Sequence, residues 1–311
     1  MPAGKLFRPT APFMGVPQTT DLSGAKAAIV GMPFDCGVNP VRIGSRLGPA
    51  SIREQSALLR PYCPPGNDYD AMAALGLVDC GDADVIPSQI EESFAAMEGA
   101  VRHVVDAGAI PVTMGGDGAV TLPQLRALRD AYPDLALLHI DAHTDAYPLP
   151  GYNNATTFTR ATEEGVLDLA HSIHVGPRGP TDPSGVFEFT RQVGYELIDG
   201  AELAERGIAE ITAYLRTRLE NRPVYLCFDM DFFDPSVAPG VCTPVWGGAT
   251  AREGLALLSG LSGLNFVAFD VNTVSPPHDT AGMTAFLAGR VMLECLYLAC
   301  TALDLVPSPD L

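Results

Sequence analysis

The run LALLHIDAHTDAY, residues 135–147, decides the fold. Its first half is short and apolar, which is typical of a strand buried on both faces of a parallel sheet. Its second half is a turn in which Asp141, His143 and Asp145 alternate with small residues. Alternate residues at the end of a strand begin on the same face, so these three side chains can converge on one point.

The same pattern recurs on both sides of this run. Six further apolar stretches end in turns rich in glycine or aspartate, at 27–35, 75–82, 109–117, 172–179, 224–231 and 265–272. Helical patterns lie between them; in 88–107, Ile90, Phe94, Met97, Val101 and Val104 recur at spacings of three and four. Strands that alternate with helices predict a three-layer α/β/α protein with a mostly parallel central sheet.

No linker or change of composition divides the chain, so we expect one domain over 23–311. Residues 1–22, which contain many prolines, are expected to form an extended arm. Disorder of the arm and its packing on a neighbouring subunit both remain open.

Composition narrows the partners and the compartment. The net charge of −18 argues against nucleic-acid binding, and a small-molecule substrate is expected instead. Seven cysteines without a CxxC pair favour reduced thiols in the cytoplasm. The N-terminus has no apolar signal core, and no stretch reads as long and apolar enough to cross a membrane, because Arg290 and Glu294 interrupt the C-terminal region.

A second acidic cluster follows another strand, in LCFDMDFFDP at 226–235. Asp229 and Asp231 have the same alternate spacing as the first cluster. Capping of the following helices is the structural alternative, and it suits Asp234, which precedes a proline. The whole set of carboxylates would resist ionisation unless a cation offset their charge. Oxygen ligands with one imidazole favour a divalent ion such as Mn²⁺.

Four strings, in this order, resemble those of arginases, agmatinases and related amidinohydrolases: MGGDGAV at 114–120, HIDAHTDAY at 139–147, FDMDFFDPSVAPGVCTPVWGG at 228–248 and FDVNTVSPPHD at 269–279. FDCGVNPVRIGSRLGPASIRE, at 34–54, is similar to the early loop of agmatinase-like members, with one extra residue. The resemblance covers essentially the whole chain. It implies an arginase-like fold and hydrolysis of a non-peptide C–N bond.

The resemblance also implies a ligand set. Two Mn²⁺ ions would share Asp141 and Asp229; one would add His143 and Asp231, and the other Asp145 and the histidine of a GGDH motif. The ions would activate water to attack a guanidinium carbon and release urea. Asn39 and Arg42 of the early loop would contact the substrate tail. Relatives are usually trimers or hexamers, so a homo-oligomer is expected.

Three positions depart from the family pattern. Gly118 stands where GGDH has histidine, so one ion is expected and the second site is weakened or absent. Asn154 replaces the histidine of an HG motif and cannot carry a proton near pH 7. Thr273 replaces a glutamate that pairs with the guanidinium and offers only a hydrogen bond. His278 is a candidate substitute proton carrier, although a surface histidine is favoured.

Three functions therefore remain open. The first is a hydrolase of altered activity on a guanidino, ureido or related amide substrate, in which Asp145 bonds the attacking water and Asn154 and Thr273 line the substrate site. The second is a non-catalytic paralogue that binds a small molecule or joins an oligomer. The third is a weak but orthodox amidinohydrolase. Cys227 and His139, which precede the two aspartate clusters, are interpreted as packed side chains.

Overall fold

The computed structural model describes residues 6–307 of the 311-residue chain. Within that range nine strands form one sheet. They are β1 Phe7–Arg8, β2 Ala27–Met32, β3 Val78–Ala83, β4 Ile110–Gly115, β5 Ala136–Ile140, β6 Ile173–Val175, β7 Glu196–Ile198, β8 Val224–Asp229 and β9 Phe266–Asn272. Their order in the sheet is β1-β3-β2-β4-β9-β8-β5-β6-β7. All the pairings of these strands are parallel except that of β1 with β3.

Helices cover both faces of this sheet. Adjacent residues of β5 point to opposite sides: Leu138 belongs to one apolar core and Leu137 to the other. Each core is completed by a different set of helices, so the predicted three-layer α/β/α arrangement is confirmed. The helices are α1 Gly48–Ser56, α2 Ala71–Leu75, α3 Ile90–Asp106, α4 Thr121–Leu128, α5 Thr157–Glu164, α6 Val186–Gln192, α7 Gly200–Arg218, α8 Ala251–Gly260 and α9 Met283–Ala302.

Helix α3 shows how the sequence pattern produces this packing. Phe94, Met97, Val101 and Val104 are buried, and only Ile90 at the start of the stripe is partly exposed. A stripe at spacings of three and four lies along one side of a helix, so its burial against the sheet removes most of the helix's apolar surface from water. The predicted helix is therefore confirmed.

Helix α9 corrects one expectation from the sequence. Its 20 residues have a mean hydropathy of 1.4 over their most apolar window, which is enough by length and composition to cross a membrane. In the fold, 78% of that window is buried inside the protein. Arg290 and Glu294 form an ion pair along the helix. The burial is that of a core helix.

Residues 6–22 of the expected arm lie against the chain's own sheet. Phe7 and Arg8 form the edge strand β1, which pairs antiparallel with β3, and Phe13 is fully buried. The Phe13 amide donates to the carboxylate of Asp79, 2.9 Å away. Residues 1–5 of the expected arm lie outside the described residues.

The sheet order brings the acidic turns together. Strands β4, β9, β8 and β5 are consecutive neighbours, and all four run in the same direction. Their carboxyl ends therefore meet at one edge, where parallel sheets usually collect ligand groups. Gly118, Thr273, Asp231 and Asp141 follow these four strands, so every candidate turn lies at this edge.

Candidate metal centre

The turns after β5 and β8 form what we call the His143 half of the site: Asp141, His143, Asp229 and Asp231. His143 Nδ1 lies 3.1 Å from Asp231 Oδ2 and 3.3 Å from Asp141 Oδ1. One ligand atom from each of these three residues lies within 4.8 Å of the other two. Asp229 lies at the end of β8 and lines the same cavity as His143 and Asp231, which is described below. The convergence expected from the D-x-H-x-D and D-x-D spacings is present.

Backbone amides fix these carboxylates. The amide of His143 donates to Asp141 Oδ1 at 2.6 Å, and that of Asp231 donates to Asp229 Oδ1 at 2.7 Å. The two turns are also joined, because the Ala142 amide donates to Asp231 Oδ1 at 3.1 Å. Arg178 bridges them a second time: its side chain donates to the Asp231 carbonyl and its amide to the Ala142 carbonyl. The carboxylates are therefore held in place by the fold.

The charges in this half are not balanced by the protein alone. Burial, followed by the negative charges of its acidic neighbours, raises the pKa of Asp229 well above its usual value, and the pKa of Asp231 is also raised. The pKa of Asp141 is lowered well below its usual value, because the imidazoles of His139 and His143 outweigh the opposing effect of its burial. Burial lowers the pKa of His143, but Asp231 and Asp141 outweigh it and raise the pKa well above normal. A divalent cation among these groups would favour the ionised carboxylates.

Gly118, Asp145, Asn154 and Thr273 form what we call the Gly118 half. A Cβ atom at Gly118 would lie 2.5 Å from Asp145 Oδ2. The Asp145 carboxylate therefore lies next to the space that a side chain at position 118 would enter. Burial, followed by the charge of Asp141, raises the pKa of Asp145 well above its usual value.

The other two substituted residues contact protein groups. Asn154 Oδ1 accepts a hydrogen bond of 3.1 Å from the Val38 amide and so ties the early loop to the site. The Thr273 hydroxyl donates to Asp229 Oδ1, and Thr273 has a φ of 65°, which is unusual for a β-branched residue. Both side chains face the same cavity, but each already has a hydrogen-bond partner.

The cavity at this edge has a volume of about 210 Å³. Within residues 6–307 its lining contains four acidic side chains and neither lysine nor arginine. The lining residues are Val38, His143, Asp145, Tyr147, Leu149, Asn154, Ala155, Pro180, Thr181, Asp182, Asp229, Asp231, Cys242, Thr243 and Thr273.

Three predicted site residues, Asn39, Arg42 and His278, make their contacts away from the acidic groups. The Asn39 amide group donates to the Cys242 carbonyl, and the Arg42 guanidinium donates to the carbonyls of Pro239 and Val241. Both side chains thus brace the loop before Cys242, and their contact with a substrate stays a prediction. His278 lies in a short turn after β9 and is not among the lining residues of the described cavity, and its role as a proton carrier also stays a prediction.

Tyr147 and Asp182 are among the polar lining residues that sequence reasoning missed. Tyr147 lies two residues beyond Asp145, and the alternation used for the aspartates could have been extended to it. Asp182 lies in an irregular loop after β6, where no periodicity locates a side chain. Cys227 is fully buried beside Thr121, Asn272 and Asp270, as expected of a packed thiol.

Comparison with known proteins defines the class. Residues 25–298 match the arginase family, so the chain belongs to the arginase family, whose related members include enzymes acting on non-peptide C–N bonds. Guanidinopropionase of Pseudomonas aeruginosa is 37% identical over 293 residues, covering 92% of this chain and 90% of that protein. An agmatinase of Salmonella paratyphi B is 37% identical over 279 residues, covering 89% and 88%.

Solved structures agree with this assignment. Proclavaminate amidino hydrolase from Streptomyces clavuligerus superimposes with a TM-score of 0.89 at 31% identity, covering 96% of this chain and 100% of that one. The arginase from Bacillus cereus, at 22% identity and a TM-score of 0.74, shares the fold. The resemblance to agmatinase-like members inferred from the sequence is confirmed.

Proposed function

We propose that this chain is a metal-dependent hydrolase that cleaves a C–N bond of a small guanidino compound or a related ureido or amide compound, at an altered rate. The observation that carries the proposal is the convergence of Asp141, His143 and Asp231, of which His143 and Asp231 line a cavity. The names of its relatives, guanidinopropionase, agmatinase and an amidino hydrolase, all denote hydrolysis of guanidino compounds.

The residues fit a divalent ion. Asp141 Oδ2 is buried, and among the described residues no donor points at it in hydrogen-bond geometry. Two carboxylates and an imidazole within 4.8 Å are the donors that Mn²⁺ and similar ions prefer. We propose Mn²⁺, held by Asp141, His143, Asp231 and Asp229. A bound ion would lower the pKa of water and polarise the substrate.

The remaining lining residues define what the chain itself can do. Asp145 can accept a hydrogen bond from a water molecule at the cavity floor. Asn154 and Thr273 can orient a planar substrate by hydrogen bonds, but neither can form an ion pair with it. The acidic lining without lysine or arginine suits a cationic group such as guanidinium.

The amide side chain at position 154 explains why we propose an altered rate. General acid–base groups typically contribute about 100- to 10,000-fold to rate, and an amide at position 154 cannot take up and release a proton near neutral pH. Slow turnover, or a substrate with a leaving group that needs no protonation, fits this site.

A non-catalytic binding subunit remains the second candidate, because the Asn154 and Thr273 side chains already form hydrogen bonds with the protein.

We place the protein in the cytoplasm as a homo-oligomer. All seven cysteines, which lie within the described residues, are free thiols, and this supports a reducing compartment. Fractionation of the source cells and the mass of the native assembly test these two points.

The test of the function is a hydrolysis assay on the Mn²⁺-loaded protein. Guanidino, ureido and amide compounds with amine, carboxylate and neutral tails are incubated with it, and urea and free amine are measured. Release that is abolished by a chelator and restored by Mn²⁺ supports the proposal. Metal binding without release from any compound supports the binding subunit instead.

A further inference from the structure

We propose that His139 supplies the imidazole that Gly118 lacks, so that His139, Asp141 and Asp145 hold a second divalent ion beside the first. The inference rests on the proposed metal-dependent function and deepens it. It revises the expectation that the second metal site is weakened or absent. His139 lies in β5, the strand that Asp141 follows, and would provide a ligand from a different direction than residue 118.

The geometry brings together two groups of ligand atoms that share one carboxylate. His139, Asp141 and Asp145 each offer one atom within 4.8 Å of the others, as do Asp141, His143 and Asp231. His139, Asp141 and Asp145 are at most 7% exposed. A carboxylate shared between two adjacent groups is the arrangement of a two-metal centre, in which the ions lie about 3.5–4 Å apart.

The contact between His139 and Asp141 is not an ordinary hydrogen bond. His139 Nε2 lies 2.8 Å from Asp141 Oδ2, yet among the described residues no donor is directed at that oxygen. Two ligand atoms that are each about 2.1 Å from one ion are separated by roughly 3 Å. The spacing therefore suits two ligands of one ion, whereas a simple histidine–aspartate pair would place the N–H bond along the contact.

The opposite side of the His139 ring faces a second imidazole. His139 Nδ1 lies 2.8 Å from Nδ1 of His174, and the parallel pairing of β5 with β6 places the two residues side by side. When His139 Nδ1 carries the proton and donates to His174, Nε2 has a free lone pair for an ion. Metal-ligating histidines characteristically donate their other N–H to an acceptor, which fixes the tautomer and the ring; in the proposed site the His174 nitrogen takes that role.

The Asp145 carboxylate occupies space that a side chain at position 118 would need. Its Oδ2 atom lies where a Cβ at residue 118 would approach to 2.5 Å. A histidine at 118 would therefore displace this carboxylate, and glycine permits it. The absence of a side chain at 118 and the grouping of Asp145 with His139 are thus compatible features of one site.

The experiment counts Mn²⁺ ions without using turnover. Metal-free wild type, His139→Ala and the control His171→Ala are titrated with Mn²⁺, and bound metal is measured by elemental analysis and electron paramagnetic resonance. His171 pairs with Asp168 away from the site. Wild type and the control should bind two magnetically coupled ions per chain. His139→Ala should retain one uncoupled ion and bind the second at least about 100-fold more weakly, since loss of an outer partner alone costs about 10- to 100-fold.

A rescue variant separates local loss from misfolding. His139→Ala combined with Gly118→His should regain the second ion, because the imidazole returns at the family position and only the Asp145 side chain must move. If His139→Ala does not fold, the hyperfine couplings of imidazole nitrogen to manganese, measured by electron paramagnetic resonance in the wild type, decide. Coupling to one imidazole nitrogen at each ion supports the inference, and nitrogen coupling at only one ion overturns it. Two coupled ions in folded His139→Ala, or one ion in wild type, also overturn it. No bound ion in wild type would instead remove the proposed metal-dependent function.

Discussion

The two halves of the site lie at the same edge of the sheet, but their side chains make different contacts. In the His143 half, Asp141, His143 and Asp231 converge, and one buried carboxylate oxygen has no donor among the described residues. In the Gly118 half, Asn154 and Thr273 have protein partners, and Gly118 has no side chain to offer. The first half is arranged for a cation; in the second, only Asp145 is grouped with candidate metal ligands, and Asn154 and Thr273 anchor neighbouring groups.

The difference lies in what the side chains of each half can do. The Asn154 amide accepts a hydrogen bond from the early loop and cannot transfer a proton near neutral pH. The Thr273 hydroxyl donates to Asp229 and carries no charge. We therefore expect the two halves to respond oppositely to mutation.

The largest effect is expected in the His143 half. Asp231→Asn removes a charged ligand and should weaken Mn²⁺ binding by more than about 100-fold, because direct ligands matter at least as much as their outer partners. Calorimetric titration of metal-free protein measures this. Asp130→Asn, whose side chain is 70% exposed, is the control. Unchanged affinity in Asp231→Asn would remove this half from the metal site.

The next effect should come from restoring the Gly118 half. Gly118→His, Asn154→His and Thr273→Glu together return an imidazole ligand, a proton carrier and a carboxylate, and urea release should rise by about 10- to 100-fold. The same triple variant with Asn154→Leu in place of Asn154→His cannot carry a proton and should rise less. No gain over wild type would contradict our explanation of the altered rate.

A smaller effect concerns pH. Burial, with the charge of Asp35 opposing ionisation, raises the pKa of Asp117 from 3.8 to about 7. Because the pKa of Asp117 is higher in the folded state, its contribution to stability is fully present below about 3.8 and is lost as pH rises through about 7. Between pH 5 and 7 in chelator, wild type should lose of the order of 1–3 kcal/mol more than Asp117→Asn.

Thermal and urea unfolding of both proteins measure that difference. The other titrating groups are the same in the two proteins, so the comparison isolates Asp117. The pKa of Asp141 is lowered, so its own contribution is lost only as pH falls below 3.8 and does not act in this range. Parallel stability curves would show that Asp117 is ionised throughout.

The smallest effect on activity is expected at Arg42. Arg42→Met removes hydrogen bonds to the carbonyls of Pro239 and Val241, so the free energy of unfolding should fall by about 1–3 kcal/mol. KM should change less than about threefold, because the side chain does not line the cavity. A large rise in KM with unchanged stability would return Arg42 to the substrate site.

The sequence was sufficient to predict those features of the structure that depend on a local pattern. The stripe of α3 follows from a helical period, and the convergence of Asp141 with His143 follows from the alternation of a strand end. Short elements carry too few residues for such a period: β7 has three residues and was missed, and α5, TFTRATEE, has only Phe158 and Ala161 as apolar residues, too few to indicate a helix.

Side-chain partners across loops could not be predicted. Arg42 was expected at the substrate because its loop resembles that of relatives, but which carbonyls it meets depends on the path of residues 239–242. His139 was interpreted as a packed residue, and only the parallel register shows that it faces His174 and Asp141 together. Such contacts are set by tertiary structure.

The most direct test is a crystal structure of the protein grown with Mn²⁺, with anomalous scattering recorded near the manganese edge. We predict an anomalous peak among Asp141, His143 and Asp231. The absence of a peak there at saturating Mn²⁺, with the three side chains placed as described, would contradict the account.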